Sequence, residues 1–173
     1  MENQANSKNI ILNNGLYLGL IGVIVGLALW ASGQYFELQW VGNLVGTIAT
    51  IFFIVTGIKS YKNSNGGFIS WGQGVKIGMG VVMVSAVITV IYTLLLTTVI
   101  DPNLQAQGIA IQEQAWIDQG LTSDQIESAK AMTEKFQGPG IISAIILIVA
   151  AIIGFVISAI VAAIMKKSEE ETY

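Results

Sequence analysis

The chain has 173 residues, 53% of them hydrophobic and 11% charged, with no cysteine, no histidine and a net charge of −3. It therefore lacks the residues of disulfides, of thiol catalysis and of the commonest metal-ligand and general-base sites, and because all eight basic residues are lysines it has no arginine clamp for phosphate. We predict no enzyme, no cofactor and no metal site, and the acidic balance argues against nucleic acid as a partner.

Four apolar runs are long enough to be transmembrane helices, because about 20 residues rising 1.5 Å each span the roughly 30 Å hydrocarbon core of a bilayer. We predict helices at about 15–33, 41–60, 73–100 and 140–166, after a short polar tail at 1–14. A secretory signal is an alternative for the first run, since the Ala-Ser-Gly at 31–33 resembles a cleavage site. The run is too long for the apolar part of a signal peptide, which favours a retained helix.

Two of the polar connections carry clear turn and capping signals. The Asn-Gly-Gly sequence at 65–67 predicts a turn between the second and third helices. Asp101 and Pro102 predict the end of the third helix and the start of another, because Asp is a good N-cap and Pro a good first helical residue. Residues 102–138 show helical periodicity on both sides of Gly120 and predict a helical hairpin; a disordered loop is the alternative.

The lysines near the helix ends predict the orientation, because the cytoplasmic connections of membrane proteins carry an excess of basic residues. With four spans, six lysines lie on the side of the two termini and the middle connection: Lys8, Lys59, Lys62, Lys76, Lys166 and Lys167. The opposite side has two, Lys130 and Lys135. We therefore predict cytoplasmic termini and an extracytoplasmic hairpin at about 102–138. The predicted fold is a single membrane domain over residues 1–173, all-α, with four transmembrane helices in a compact bundle.

Small residues repeat at helical spacing along one face of each predicted span. They are Gly15, Gly19, Gly22 and Gly26 in the first, Gly42 and Gly46 in the second, Gly74 and Gly78 in the third, and Gly154 and Ser158 in the fourth. Helices in lipid associate by close packing at small residues, because lipid tails are as apolar as leucine. We therefore expect these faces to hold the helices together. On this basis, leucine at Gly22 is expected to disrupt the fold.

A stripe of hydroxyl groups on the third helix is the best candidate for chemistry. Ser85, Thr89, Thr93 and Thr97 follow one another at four-residue steps, and Tyr92 lies beside them. They could line a polar path through the membrane. Alternatively, their hydroxyls could bond to carbonyls of their own helix or reach across to a neighbouring helix, as in many membrane bundles.

One charged residue stands inside the third apolar run. An ionisable residue within a span is by default a candidate for function, which applies to Lys76. Its position in the first turn of the predicted helix also allows the side chain to snorkel to the membrane surface. The carboxylates of the 102–138 segment match no calcium-loop spacing, so we expect them on solvated helix faces.

Short motifs distributed over nearly the whole chain resemble those of a known membrane family. They are GGFISWGQGVKIGMG at 66–80, Ile-Tyr at 91–92, VIDP at 99–102 and MTEKFQGPG at 132–140. The chain in this respect resembles the bacterial family called domain of unknown function 4199, although Gly and Val precede the lysine where an alanine and an aromatic often stand. The resemblance implies a four-helix protein of the bacterial inner (cytoplasmic) membrane with no assigned activity. It also implies that Lys76 and Asp101 are better candidates for function than their local context suggests.

Two functional hypotheses of different classes follow from these observations. The first is a structural or accessory subunit of a membrane assembly, because the chain offers much packing surface and few reactive side chains. Its partners would be the lipid bilayer and either a second copy of the chain or another membrane protein. The second is a passive channel or carrier for a small solute or a lipid, which would use the hydroxyl stripe.

Overall fold

A computed structural model of the protein describes residues 2–167, with side chains from Ser7 onward. Its elements are α1 (Glu2–Ala31), α2 (Gln39–Ser64), α3 (Trp71–Leu95), a π-helical turn (Leu96–Ile100), α4 (Leu104–Asp118), α5 (Ser123–Phe136) and α6 (Pro139–Met165). Four segments are long and apolar enough to cross a membrane: Ser7–Ala31, Gln39–Ser64, Trp71–Ile100 and Pro139–Met165. This confirms the prediction of an all-helical chain with four membrane-capable helices. The chain end at 168–173, predicted to be cytoplasmic, lies outside the described residues.

The first helix starts much earlier than the sequence predicted, because α1 begins at Glu2 and replaces the polar tail expected at 1–14. Two apolar residues in that stretch, Ile10 and Ile11, pack against the main buried cluster. Asn14 is also buried, and its Nδ2 donates to the carbonyl of Ile10 at 2.8 Å. An amide that is satisfied within its own helix can be buried at modest cost, so these polar-looking residues continue the helix.

The other three spans lie close to their predicted positions, with ends moved by local packing and capping. α2 runs past the predicted end at 60 to Ser64, since Tyr61 is buried in the core. The third predicted helix, 73–100, is α3 followed by the π-helical turn, in which the Asp101 N–H donates to the Leu96 carbonyl at 2.7 Å. α6 starts at Pro139 and ends at Met165.

Contacts divide the described chain into two units, and the first contains residues 2–89 and 147–167. Its core combines Ile54 and Ile58 of α2, Ile77 of α3, and Val161 and Ala162 of α6, all of them buried in one cluster. Within this unit α3 also contacts α1, and α1 packs along α2. α3 is therefore the helix against which the other three lie in this unit.

The second unit, Val90–Ile146, contains the end of α3, the π-helical turn, α4, α5 and the start of α6. α4 and α5 contact each other, and Lys130 Nζ lies 3.0 Å from Glu113 Oε2. α5 begins with a capping box, in which Thr122 and Gln125 satisfy each other's backbone N–H groups. Thus the segment predicted as a hairpin at 102–138 consists of two contacting helices that start at Leu104 and Ser123.

Candidate functional site

The connection between α2 and α3 is bound to the C-terminal end of α6, and we call this contact the loop–α6 junction (residues 62–73 with 159–167). Ile69 and Lys167 exchange two backbone hydrogen bonds, each 3.0 Å long. The indole Nε1 of Trp71 donates to the Ala159 carbonyl at 3.1 Å. Three separate hydrogen bonds therefore hold this loop and the start of α3 to α6 and the residues that follow it.

A lysine completes the junction at the end of α6. Lys62 Nζ donates to the carbonyl of Met165 at 3.0 Å. The last carbonyls of a helix have no partner within the helix and carry partial negative charge, so a lysine there is favourable. Lys167 Nζ in turn lies 5.4 Å from the centre of the Phe68 ring, within the range of a cation–π interaction.

The conformation of the loop follows from its sequence. Gly66 and Gly67 have φ values of 65° and 89°, which L side chains rarely adopt. Ser70 N donates to Gln73 Oε1 at 2.9 Å, and Gln73 N donates to Ser70 Oγ at 3.2 Å. This reciprocal pair is a capping box that starts α3 at Trp71. The Ser-x-x-Gln spacing at 70–73 was a readable signal for this start, which the sequence analysis missed.

Small residues bring α3 and α6 into close contact within the first unit. A Cβ built on Gly74 would lie 2.7 Å from the Cβ of Ala162, and one built on Gly154 would lie 2.9 Å from Val82 Cγ1. A Cβ on Gly78 would overlap the hydroxyl of Ser158. The structure thus brings four predicted packing residues together at one crossing: Gly74, Gly78, Gly154 and Ser158.

The Ser158 side chain is fully buried at this crossing. Its exposed fraction is 0%, and its hydroxyl has no hydrogen-bond partner among residues 2–167. The oxygen occupies the space that a side chain on Gly78 would fill. A larger residue at either position would force the two helices apart, because interiors are packed too densely to absorb the added volume.

Glycines of α1 and α2 fall into two groups. A Cβ built on Gly15 or Gly19 would lie 2.6 Å from Val84 Cβ or Ile88 Cδ1 respectively, so α1 packs on α3 at these positions. A Cβ on Gly42 would lie 3.1 Å from Leu29 Cδ1 of α1.

The second group has no such contact. Gly22 and Gly46 have no neighbouring atom of the described residues within 4 Å of a built Cβ. Gly26 is half-buried and is assigned to neither group. The expectation that leucine at Gly22 disrupts the fold therefore has no basis in contacts within the described chain, because the space in front of this glycine is open.

The hydroxyl stripe is divided between the two units. In the first, the Thr89 hydroxyl donates to the Ser85 carbonyl at 3.1 Å. In the second, the Thr97 hydroxyl donates to the Thr93 carbonyl at 2.8 Å, and Tyr92 is half-buried. Bonds of this kind satisfy a hydroxyl within its own helix, as one of the sequence alternatives held.

The two charged candidates belong to different units. Lys76 is exposed on α3 and makes no hydrogen bond or ion pair with another residue between 2 and 167. Asp101 is half-buried, and its Oδ1 accepts a hydrogen bond from the Asn103 N–H at 3.2 Å. The prediction that Asp101 is the N-cap and Pro102 the first residue of the next helix is wrong, because α4 begins at Leu104 with Asn103 as its N-cap. Asp101 instead bonds within the turn that precedes α4. The described residues contain no group of three acidic side chains that could hold a metal ion.

Comparison with known proteins identifies the family but no characterised relative. No curated protein and no solved structure matches the chain. The model of the family described as Protein of unknown function (DUF4199) matches residues 13–167. The matched region includes the loop–α6 junction and the α3–α6 crossing, and it confirms the resemblance seen in the sequence motifs. Since this match covers most of the 173 residues, the chain belongs to the DUF4199 family.

Proposed function

We propose that the protein is a structural or accessory subunit of a membrane assembly. The observation that carries this proposal is the pair of unfilled glycines, Gly22 and Gly46, on the contacting helices α1 and α2. Small residues in lipid-facing helices allow another helix to approach closely. At the α3–α6 crossing, side chains of the same chain occupy the space in front of the glycines. The space in front of Gly22 and Gly46 is open, so it can receive a helix of a second molecule.

We further propose a compact four-helix bundle in the bacterial inner membrane, with both termini in the cytoplasm and α4 and α5 as an extracytoplasmic hairpin. The distribution of lysines supports this orientation. Lys62 and Lys167 both make contacts in the loop–α6 junction, and Lys166 lies in the same junction. One end of the first unit is therefore strongly basic, which is the pattern of a cytoplasmic membrane face.

A passive channel or carrier is the alternative function, and its support is weaker. That hypothesis requires hydroxyls that are available to a solute along α3. Thr89 and Thr97 instead donate to carbonyls of their own helix. Two of the four hydroxyl donors of the stripe are thus already used within the helix, which favours the structural role.

The mass of the purified protein in mild detergent and in lipid nanodiscs tests the proposed role. We expect the wild-type protein to be an oligomer or to retain a partner protein. Gly22→Leu and Gly46→Leu should yield folded monomers, because leucine would block the approach of another helix. Ile24→Leu is the matched control on the same helix, and it should leave the mass unchanged. A wild-type monomer without a co-purifying partner in both media contradicts the proposal.

A further inference from the structure

The outer face of α2 offers a candidate ligand site. A shallow, open groove of about 720 Å³ lies along this helix from Ile48 to Asn63, and all of the residues that line it belong to α2. Its lining changes in character along its length. Apolar residues, including Ile48 and Phe52, lie at one end, while Thr56, Lys59, Ser60 and Asn63 lie at the other.

The polar end of the groove contains unused hydrogen-bond donors. Thr56 and Ser60 donate to no other side chain or carbonyl of residues 2–167. On the same helix, Thr47 and Thr50 each donate to the carbonyl four residues back, at 2.8 Å. The groove hydroxyls therefore remain available to an external acceptor.

A positive charge accompanies these donors. Lys59 is exposed in the groove, and within residues 2–167 it has no ion-pair or hydrogen-bond partner. The neighbouring basic residue, Lys62, is held by the Met165 carbonyl and adds a second charge close by. An acceptor that carries negative charge would complement both.

The lengths of the two parts match those of a membrane leaflet. From Thr56 to Asn63 the helix rises about 10 Å, and from Ile48 to Thr56 about 12 Å, at 1.5 Å per residue. A bilayer has a headgroup layer of several ångströms on each side of its ~30 Å core, so each apolar leaflet is about 15 Å deep. A single lipid could therefore place its headgroup at the polar end and its acyl chains along the apolar end.

We propose that this groove binds one anionic phospholipid, whose phosphate lies against Lys59, Ser60 and Asn63 and whose chains pack along Phe52 and Ile48. Lysines near the membrane surface attract anionic headgroups through their charge. The proposal rests on the membrane location of α2 and is independent of the assembly role of Gly22 and Gly46.

Native mass spectrometry of the full chain, titrated with phosphatidylglycerol or phosphatidylcholine in mild detergent, tests the site. We expect tighter binding of phosphatidylglycerol. Lys59→Gln should weaken that binding about fivefold, since one lysine near an anionic headgroup contributes about this factor. Binding of phosphatidylcholine should stay the same. Phe52→Ala should weaken binding of both lipids, because it removes chain contact.

Lys166→Gln is the matched control, because it removes the same charge from an exposed residue at the same end of the first unit. Equal loss in Lys59→Gln and Lys166→Gln, or no loss in Lys59→Gln, overturns the site in favour of diffuse attraction. Displacement of phosphatidylglycerol by glycerol phosphate also overturns it, since the ligand would then be a free anion. If a monomeric Gly22→Leu variant still binds phosphatidylglycerol, the lipid site is supported independently of whether the protein assembles through Gly22 and Gly46.

Discussion

Gly78→Ala is the sharpest test of the contact between α3 and α6. The new Cβ would lie 2.7 Å from the Ser158 Cβ and 3.0 Å from Ile54 Cγ2. Carbon atoms prefer separations of about 3.5–4.0 Å, so the overlap amounts to roughly 0.8–1.3 Å toward Ser158 and roughly 0.5–1 Å toward Ile54. Overpacking of this kind costs about 1–3 kcal/mol in the free energy of unfolding.

Alanine also favours a helix over glycine by up to about 1 kcal/mol, which partly hides the clash. Gly72→Ala, also in α3, is the control, because a Cβ there meets no atom within 4 Å. When the unfolding free energies of the two variants are compared, the helix-propensity contributions largely cancel. We therefore expect Gly78→Ala to be less stable than Gly72→Ala by about 1–3 kcal/mol.

Unfolding by sodium dodecyl sulfate in mixed micelles, followed by tryptophan fluorescence, measures this difference. Trp71 is a suitable reporter because its indole donates to the Ala159 carbonyl of α6. Ser158→Gly removes the overlapping hydroxyl and Cβ, so the double variant Gly78→Ala/Ser158→Gly should recover part of the loss, and the double-mutant cycle should show coupling. Equal stability of Gly78→Ala and Gly72→Ala would refute the close α3–α6 crossing.

Two further predictions concern charged hydrogen bonds. Lys62→Met should destabilise the end of α6 by about 1–2 kcal/mol, because the Met165 carbonyl loses a charged donor. Hydrogen exchange of the backbone amides in the last turn of α6 measures this change. A loss of protection no greater than in the control variant Lys166→Met would count against the prediction. In the second unit, the hydrogen bond and charge of Glu113 raise the pKa of Lys130 above its ordinary 10.5. The charged lysine is the form that the pair favours, so its contribution is complete below pH 10.5 and disappears as the pH rises through the raised pKa. An NMR titration of Lys130 should show the pKa fall in Glu113→Gln, and an unchanged pKa would contradict this assignment.

The spans could be predicted from the sequence because the bilayer fixes the length of an apolar helix. The N-terminal part of α1 could not, since it depends on burial of Ile10 and Ile11 against residues far along the chain. Within 1–14 the polar residues outnumber the apolar ones, so no local pattern reveals that burial. The start of α3 was readable in principle, because the Ser70 and Gln73 spacing of a capping box is a local signal.

Glycine spacing predicted close packing but not the partner at each position. Gly22 and Gly78 look alike in sequence, yet one faces open space and the other is filled by Ser158. The difference depends on which helix passes in front, and that is a tertiary property.

Hydroxyl spacing was ambiguous for a similar reason. The hydroxyls of Thr89, in α3, and Thr97, in the π-helical turn, donate to the carbonyl four residues back. A hydroxyl-lined path would show the same four-residue spacing in the sequence.

The loop–α6 junction imposes an order on the biogenesis of the protein. Trp71 and its acceptor Ala159 are 88 residues apart in the chain. A ribosome adding about 5–20 residues per second needs roughly 4–18 s to make that intervening stretch. Once α3 has been made, α2 and α3 can already be in the membrane for the rest of this interval, while their connecting loop still lacks its anchor. The loop therefore completes its structure only after the last span has been delivered, so an insertase or chaperone has a defined interval in which to hold the unfinished end.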